Sequence, residues 1–321
     1  KLTKNQIIAA DVAPETRYTS AVRNVGEISN KGIEIALNLT PIRTKEVEWD
    51  LGVTFSKNWS KVNKLWNEGD KPVTEYVLKT AYSANFVAKV GEPLGIFQVP
   101  ALATVQDENS PYYGKVIVDA NGIPTTSNSE MKTIGSSAPD FNMGFNTRVS
   151  YKGFTLSAVA DWRKGGYMYS YTAQLMHFVG NTTRSLFNNR EPFVVPNSVI
   201  ALKDGGYAEN NRPVTSDNMS SYYSDSYSDS QFENFIIPKG YVKLRELVLS
   251  YSFPKAWISK LGIQQLDLSL IGRNLFMWTP KANNYVDPET TTFGNDIASE
   301  LGEFAALPST RNIGGGIKVV F

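Results

Sequence analysis

No cysteine occurs among the 321 residues. Disulfides, thiolate metal sites and a cysteine nucleophile are therefore excluded. Histidine is almost as scarce: His177 is the only one in the sequence, so a paired-histidine zinc motif cannot be built. Neither sign of charge is in excess, with 32 Lys and Arg against 31 Asp and Glu. Such a balance provides no field for nucleic acid or for an anionic membrane surface. No apolar run approaches the roughly 18 residues of a membrane-spanning helix. A GxSxG elbow and a phosphate-cradling P-loop are both missing. The lack of cysteine fits an exported bacterial protein. The chain begins at Lys1 without a signal peptide, and is read as a mature or cut chain, a piece of something longer.

Aromatic residues are plentiful at 12 %, and 24 glycines accompany them. That combination favours strands joined by many turns. Period-two alternation is the strongest pattern. Ile33, Ile35, Leu37 and Leu39 share one face against Glu34, Ala36 and Asn38. Val47, Trp49, Leu51, Val53 and Phe55 repeat it, as do Phe141, Met143, Phe145, Val149 and Tyr151. Phe154, Leu156, Ala158, Ala160 and Trp162 follow after a short turn at Lys152 and Gly153. Leu247, Leu249, Tyr251 and Phe253 form another set, then Leu266, Leu268 and Leu270. The last set is Ile317, Val319 and Phe321.

Most runs have nine to eleven residues, the length a tilted strand needs to cross a bilayer, whereas soluble strands average about five or six. The connections alternate in length. "TPIRTKEV", "YKGF" and "PKAWISKLGIQQ" are short, while 63–135, 163–240 and 277–310 are long and polar. Short turns on one side and long loops on the other predict an outer-membrane barrel. Tyr167 to Gly180 is predicted to be a helix within one long loop, because it lacks interior Pro and Gly and stops at a glycine. Ser220 to Phe235 is nearly low-complexity and predicts an exposed, mobile loop. The competing reading is a soluble secreted β-sandwich that binds or cleaves glycan; a passive porin is a third.

Candidate chemistry is sparse. His177 lies in the predicted loop helix, where packing is the plainer role than a triad whose partners cannot be placed. Asp119 and Asn121 precede Gly122 as in a calcium loop, but the later acidic ligands are missing, so a plain turn is favoured. Asp287 and Glu289 flank a proline; a cation site or an acid–base pair is conceivable, and a solvated turn is the plainer reading. Tyr222, Tyr223 and Tyr227 sit among small polar residues, a mixture suited to sugar rings or peptide backbones. Inward-facing Glu34, Arg148, Asp161 and Arg163 are candidates to contact solute in a lumen, or a solvated lining.

Several segments resemble the SusC/RagA class of TonB-dependent outer-membrane transporters of Bacteroidota. "NVGEISNKGIEIAL" (24–37) is similar to a strand opening of that family, and "REPFVVPNSV" (190–199) to one of its loops. "GYVKLRELVLSYSFP" (240–254) and "GRNLFMWTPKANNYVDPE" (272–289) resemble two consecutive barrel segments. Where many members carry a longer acidic run, this chain has "DANGIP" from Asp119. The resemblance implies an all-β fold: residues 1–321 as the C-terminal part of a large antiparallel transmembrane β-barrel, 22-stranded in the family, with long extracellular loops and a short loop helix. The plug domain and the N-terminal strands are expected outside this segment. It implies nutrient import without an enzymatic step or a resident cofactor, of an oligosaccharide or a peptide. Implied partners are a SusD-like surface lipoprotein, the TonB–ExbB–ExbD system acting through the plug, membrane lipid or lipopolysaccharide, and a second SusCD unit in a dimer. Phe321 is implied to be an outer-membrane assembly signal.

Overall fold

A computed structural model describes residues 2–4, 7–11, 20–24, 26–223, 229–294 and 297–321. Seven long strands follow the alternating runs: β1 (Glu27–Arg43), β2 (Val47–Lys64), β3 (Phe141–Tyr151), β4 (Phe154–Lys164), β5 (Tyr241–Ser252), β6 (Gln265–Trp278) and β7 (Asn312–Val320). They pair antiparallel in chain order, with a short strand Leu2–Lys4 added beside β1. The result is an open, eight-stranded curved wall whose two edge strands do not pair with each other.

The register turns the alternation of each strand into continuous rows. Ile35, Phe55, Met143, Trp162, Val242 and Trp278 lie abreast on one face. Val47, Tyr151, Phe154, Tyr251, Leu268 and Ile317 form a second row on the same face. Between them lie Val53, Phe145, Leu156, Leu247 and Leu249. Nothing within the sheet covers this apolar face: Leu37, Leu156, Leu249 and Leu270 are all exposed, Leu270 by 65 %.

Parity is preserved by bulges, since a one-residue slip would turn every later side chain to the wrong face. β1 runs through Thr40 and Pro41 with a register shift between Leu39 and Ile42. The turn expected at "TPIRTKEV" is accordingly only Thr44 to Glu46, where the Thr44 hydroxyl accepts the Val47 N–H at 2.9 Å. The β3–β4 turn needs left-handed backbone at both Lys152 and Gly153 (φ 46° and 89°), as a two-residue hairpin requires. A short helix, Lys255–Ile258, lies in the β5–β6 connection. All three of these connections share one end of the wall.

The long connections leave from the opposite end and fold together. They hold most of the buried core, a correction to the expectation of polar loops. Segments 75–81, 84–89, 96–102 and 126–136 build a four-stranded sheet. Its Phe86, Phe97 and Val99 pack with Tyr169 and Phe235 of the second connection and Leu301 of the third. The predicted helix over 167–180 is only half right. Tyr167–Ser170 is a strand, and α1 (Tyr171–Phe178) begins after it. Ser170 caps α1 through its hydroxyl, and the fully buried Glu303 carboxylate accepts from Ser170 Oγ at 2.5 Å and from the Thr172 N–H at 2.9 Å. A carboxylate at a helix N-terminus satisfies otherwise unpaired donors and complements the helix dipole. The expected exposure of 220–235 also fails at both ends, because Tyr223, Phe232 and Phe235 are buried.

Gly302 pairs in parallel with Tyr169 at φ 149°. A Cβ there would lie 1.9 Å from the Tyr169 carbonyl oxygen. Gly302→Ala is therefore expected to open this strand pair and destabilise the loop cap by about 1–3 kcal/mol. Hydrogen exchange should show faster exchange around 167–173 and unchanged exchange in β3 and β4.

Candidate functional site

The wall's other face is polar. Glu34, Ser56, Asn142, Arg163 and Tyr241 form its row nearest the loops, and Thr54, Gly144, Asp161 and Lys243 the next. A bulge in β5 brings three charged residues to this face. Ala160 pairs with Leu244 and Val159 with Glu246, which leaves Arg245 as the extra residue. Lys243, Arg245 and Glu246 consequently all reach the polar face, while Leu244 and Leu247 stay on the apolar one.

A segment of the third long connection docks on these cations. The Asp287 carboxylate accepts the Glu289 N–H at 3.0 Å, and the Asp287 carbonyl accepts the Thr290 hydroxyl at 2.7 Å. This turn presents both carboxylates in one direction. Lys243 Nζ lies 2.5 Å from Asp287 Oδ1 and 2.5 Å from Glu289 Oε2. Arg245 donates two parallel bonds of 2.6 Å to the Glu289 oxygens and a third, also 2.6 Å, through Nε to Asp161. The Tyr241 hydroxyl completes the set at 2.7 Å from Glu289 Oε1. Lys243 and Asp287 side chains are each only 6 % exposed. The solvated turn expected at Asp287 to Glu289 is thus corrected: it is an ionic latch.

Electrostatics decide what the latch can do. Burial pushes the Glu289 carboxyl up, but the hydrogen bonds from Arg245, Lys243 and Tyr241 outweigh it and hold it at about 2. A general acid for glycoside cleavage needs the opposite, a carboxyl kept protonated near neutral pH. Asp287 and Glu289 also share one ammonium group rather than flanking an open space. Nearby Lys239 is pushed down by burial and paired with Glu300 at 2.6 Å.

Beside the latch lies a cavity of about 520 Å³, walled by Glu34, Ser56, Asn142, Asp161, Arg163 and Glu289 among others. Charges of both signs line it, which suits hydrogen bonding to a polar, hydrated solute. Of the candidates from sequence, Asp161 and Arg163 are brought together here. The Arg163 Nη2 donates to the Ser137 carbonyl at 3.0 Å. Arg148 stands farther down the same face, exposed and abreast of Asp50 and Ser157. Tyr222 and Tyr223 lie elsewhere, against Phe193 and His177 in the loop cap. Tyr227 falls outside the described residues. Asp119 closes a turn, its Oδ1 accepting from Asn121 and Ile123 N–H at 2.8 and 2.9 Å. His177 is buried between Tyr223 and Phe235. Phe321 follows β7 and is 80 % exposed. Among the described residues, no group of three or more His, Asp or Glu side chains is placed to hold a metal ion.

No family model matches the sequence. The chain is similar to TonB-dependent receptor P3 of Formosa agariphila, 24 % identical over 94 % of this chain and 30 % of the relative. It is also similar to TonB-dependent receptor SusC of Bacteroides thetaiotaomicron, 25 % identical over 73 % of this chain and 21 % of the relative. The solved RagAB peptide transporter superposes on 99 % of this chain and 32 % of that one, with a TM-score of 0.66 at 19 % identity. The chain resembles SusC and RagA in sequence and fold, and has the fold of a segment of an outer-membrane β-barrel. It spans about a third or less of the length of these relatives, and fits the C-terminal portion of such a barrel. The SusC/RagA-like relatives are receptors and transporters, not enzymes, in agreement with a carboxylate pair locked in ion pairs. What sequence reasoning missed in this SusC/RagA-like segment is the role of Lys243 and Arg245. The adjacent charges Arg245 and Glu246 inside an alternating run were the available signal of a bulge.

The sign of the Glu289 shift sets a pH window. Its folded value lies below the ordinary 4.5, so the contribution of Glu289 to the latch is fully present above 4.5 and is lost as pH falls through about 2. Protection of residues 285–290 from hydrogen exchange should be the same at pH 5 and pH 7. Asp287→Ala, which leaves Lys243 with one anionic partner, should cost about 1–3 kcal/mol and raise exchange in that segment at both values.

Proposed function

We propose that this segment is part of the barrel wall and the outer loops of a TonB-dependent importer. The observation that carries the reading is the wall's two-faced construction. Trp162 and Phe154 sit eight residues apart on β4, in rows that also hold Phe55 and Trp278 at one level and Tyr151 and Tyr251 at the other. Eight residues span about 27 Å along a strand, or roughly 20 Å once the usual tilt is included. Aromatic girdles flanking an apolar band of that height are what a bilayer selects. The reverse face, polar and ion-paired, is suited to a water-filled lumen.

The two edges of the wall require strands from outside the segment, because unpaired backbone groups in lipid cost several kcal/mol each. We place the plug there too, together with the TonB–ExbB–ExbD coupling that would drive passage, so no step here calls for a cofactor. The cargo is an oligosaccharide or a peptide, admitted through the folded loops under a SusD-like lipoprotein, in a complex that could pair into a dimer within lipid or lipopolysaccharide. Arg148, Asp161 and Arg163 would meet solute along the lumen, and Phe321 would serve assembly in the membrane.

Two measurements test this. In the native transporter, Phe145→Arg on the apolar face near the middle of β3 should destabilise the barrel by about 2–4 kcal/mol. Asn38→Arg on the polar face should change it by less than about 1 kcal/mol. Equal effects would overturn the assignment of faces. Uptake of radiolabelled peptide or oligosaccharide by cells should vanish when the proton gradient is collapsed; uptake that persists would indicate a passive pore.

A further inference from the structure

A second concavity, of about 400 Å³, opens in the loop cap rather than in the lumen. Its wall is a chain of rings meeting edge to face. Phe187 meets Phe193 at 4.9 Å and 81°, Phe193 meets Tyr222 at 5.2 Å and 85°, and Tyr222 meets Tyr223 at 5.0 Å and 88°. His177 continues the chain behind Tyr223 at 5.0 Å and 81°. Successive perpendicular rings offer a guest both faces and edges, the geometry in which aromatic groups attract one another. Phe187 is 53 % exposed at the rim and Leu186 is 54 % exposed beside it, so the rings are accessible.

Several polar groups at this wall are turned to neighbours within the cap. The Tyr223 hydroxyl donates to the Arg184 carbonyl at 3.1 Å, and burial pushes its pKa up, which keeps it neutral. Arg184 donates through Nη1 to Asn234. His177 Nδ1 is 3.3 Å from the Thr182 hydroxyl. No acidic side chain is among the described lining residues. A sugar entering here would bury hydroxyls against a wall made mostly of rings, at a cost of about 1–3 kcal/mol for each one left unpaired. An apolar ring would bury without that penalty. The volume falls within the range of small-ligand pockets, whereas a protein partner's surface needs a broad patch.

We propose that this cavity is an anchor site for a single apolar ring of the arriving solute, namely the aromatic side chain of a peptide. The proposal rests on the import reading and narrows its cargo. It also gives Tyr222 and Tyr223 a defined role on the outer face of the cap, upstream of the lumen.

The test uses the full transporter purified in detergent, with N-acetyl-phenylalanine amide and methyl glucoside as probes, followed by saturation-transfer NMR and calorimetry. Heat-modifiable gel migration confirms that each variant is folded. Saturable binding of the aromatic amide is expected. Phe187→Ala should weaken it about tenfold, and Thr183→Trp, which fills the mouth, should abolish it. Affinity unchanged in both variants, methyl glucoside bound as tightly as the amide, or no saturable binding of the amide would each overturn the proposal. Energised uptake is scored separately. Uptake without amide binding removes the anchor site and leaves import standing; amide binding without energised uptake does the reverse.

Discussion

Backbone N–H and C=O groups inside a bilayer have no water to pair with, and everything in this structure follows from satisfying them. Between neighbouring long strands, ladder bonds in chain order meet that requirement, and only the two outer edges of the wall are left to be paired. Once the ladder is set, side chains have only two directions to go. One face must be apolar and the other polar, and the rows abreast from Ile35 to Trp278 obey this across the wall. Bulges at Thr40–Pro41 and at Arg245 are the places where the chain corrects its parity rather than break the rule. The bulge at Arg245 also leaves its guanidinium on the polar face, bonded to Asp161.

The same constraint explains why the hydrophobic core is not in the barrel. A single sheet facing lipid on one side and water on the other has no second layer against which to bury side chains. The tight packing is found instead where the three long connections meet, around Phe86, Phe97, Tyr169, Phe235 and Leu301. The cap is thus a small folded unit, joined internally by Glu303 at the N-terminus of α1 and fastened to the wall by Asp287 and Glu289. Each fastening places a carboxylate among several donors, and at Glu289 the bonds from Arg245, Lys243 and Tyr241 hold the carboxyl well below the usual carboxylate range. A latch of this kind responds to competing contacts and not to ordinary changes of pH.

A division of labour between wall and cap follows. The lumenal cavity near Arg163 and Glu289 mixes both signs of charge and suits hydrated, polar groups. The cap cavity near Phe193 and Tyr222 is walled mostly by aromatic rings. Under the proposed import function, two such different environments along one route would let a solute be held by different parts of itself in turn. Weak, separate contacts favour passage over retention, because no single site accumulates the whole binding energy.

How much of this was legible in the amino-acid sequence depends on the range of the interactions involved. Alternation in 33–39, 47–55, 141–162 and 247–253 determined the strands and the apolar face by itself, because period two is a local property of an extended chain. The alternating lengths of the connections determined which end carries the loops. Tertiary structure alone decided that the polar connections share a core, that Tyr167–Ser170 is a strand paired with Gly302–Glu303, and that Tyr223 is buried. Each depends on a partner distant in sequence, Gly302 for Tyr169 and Arg184 and His177 for Tyr223. The latch belongs with them: Asp-Pro-Glu reads as a solvated turn until Lys243 and Arg245 arrive from a strand some forty residues earlier. Local periodicity writes the wall, and long-range contact, which leaves no periodic trace, decides what the loops and charges do.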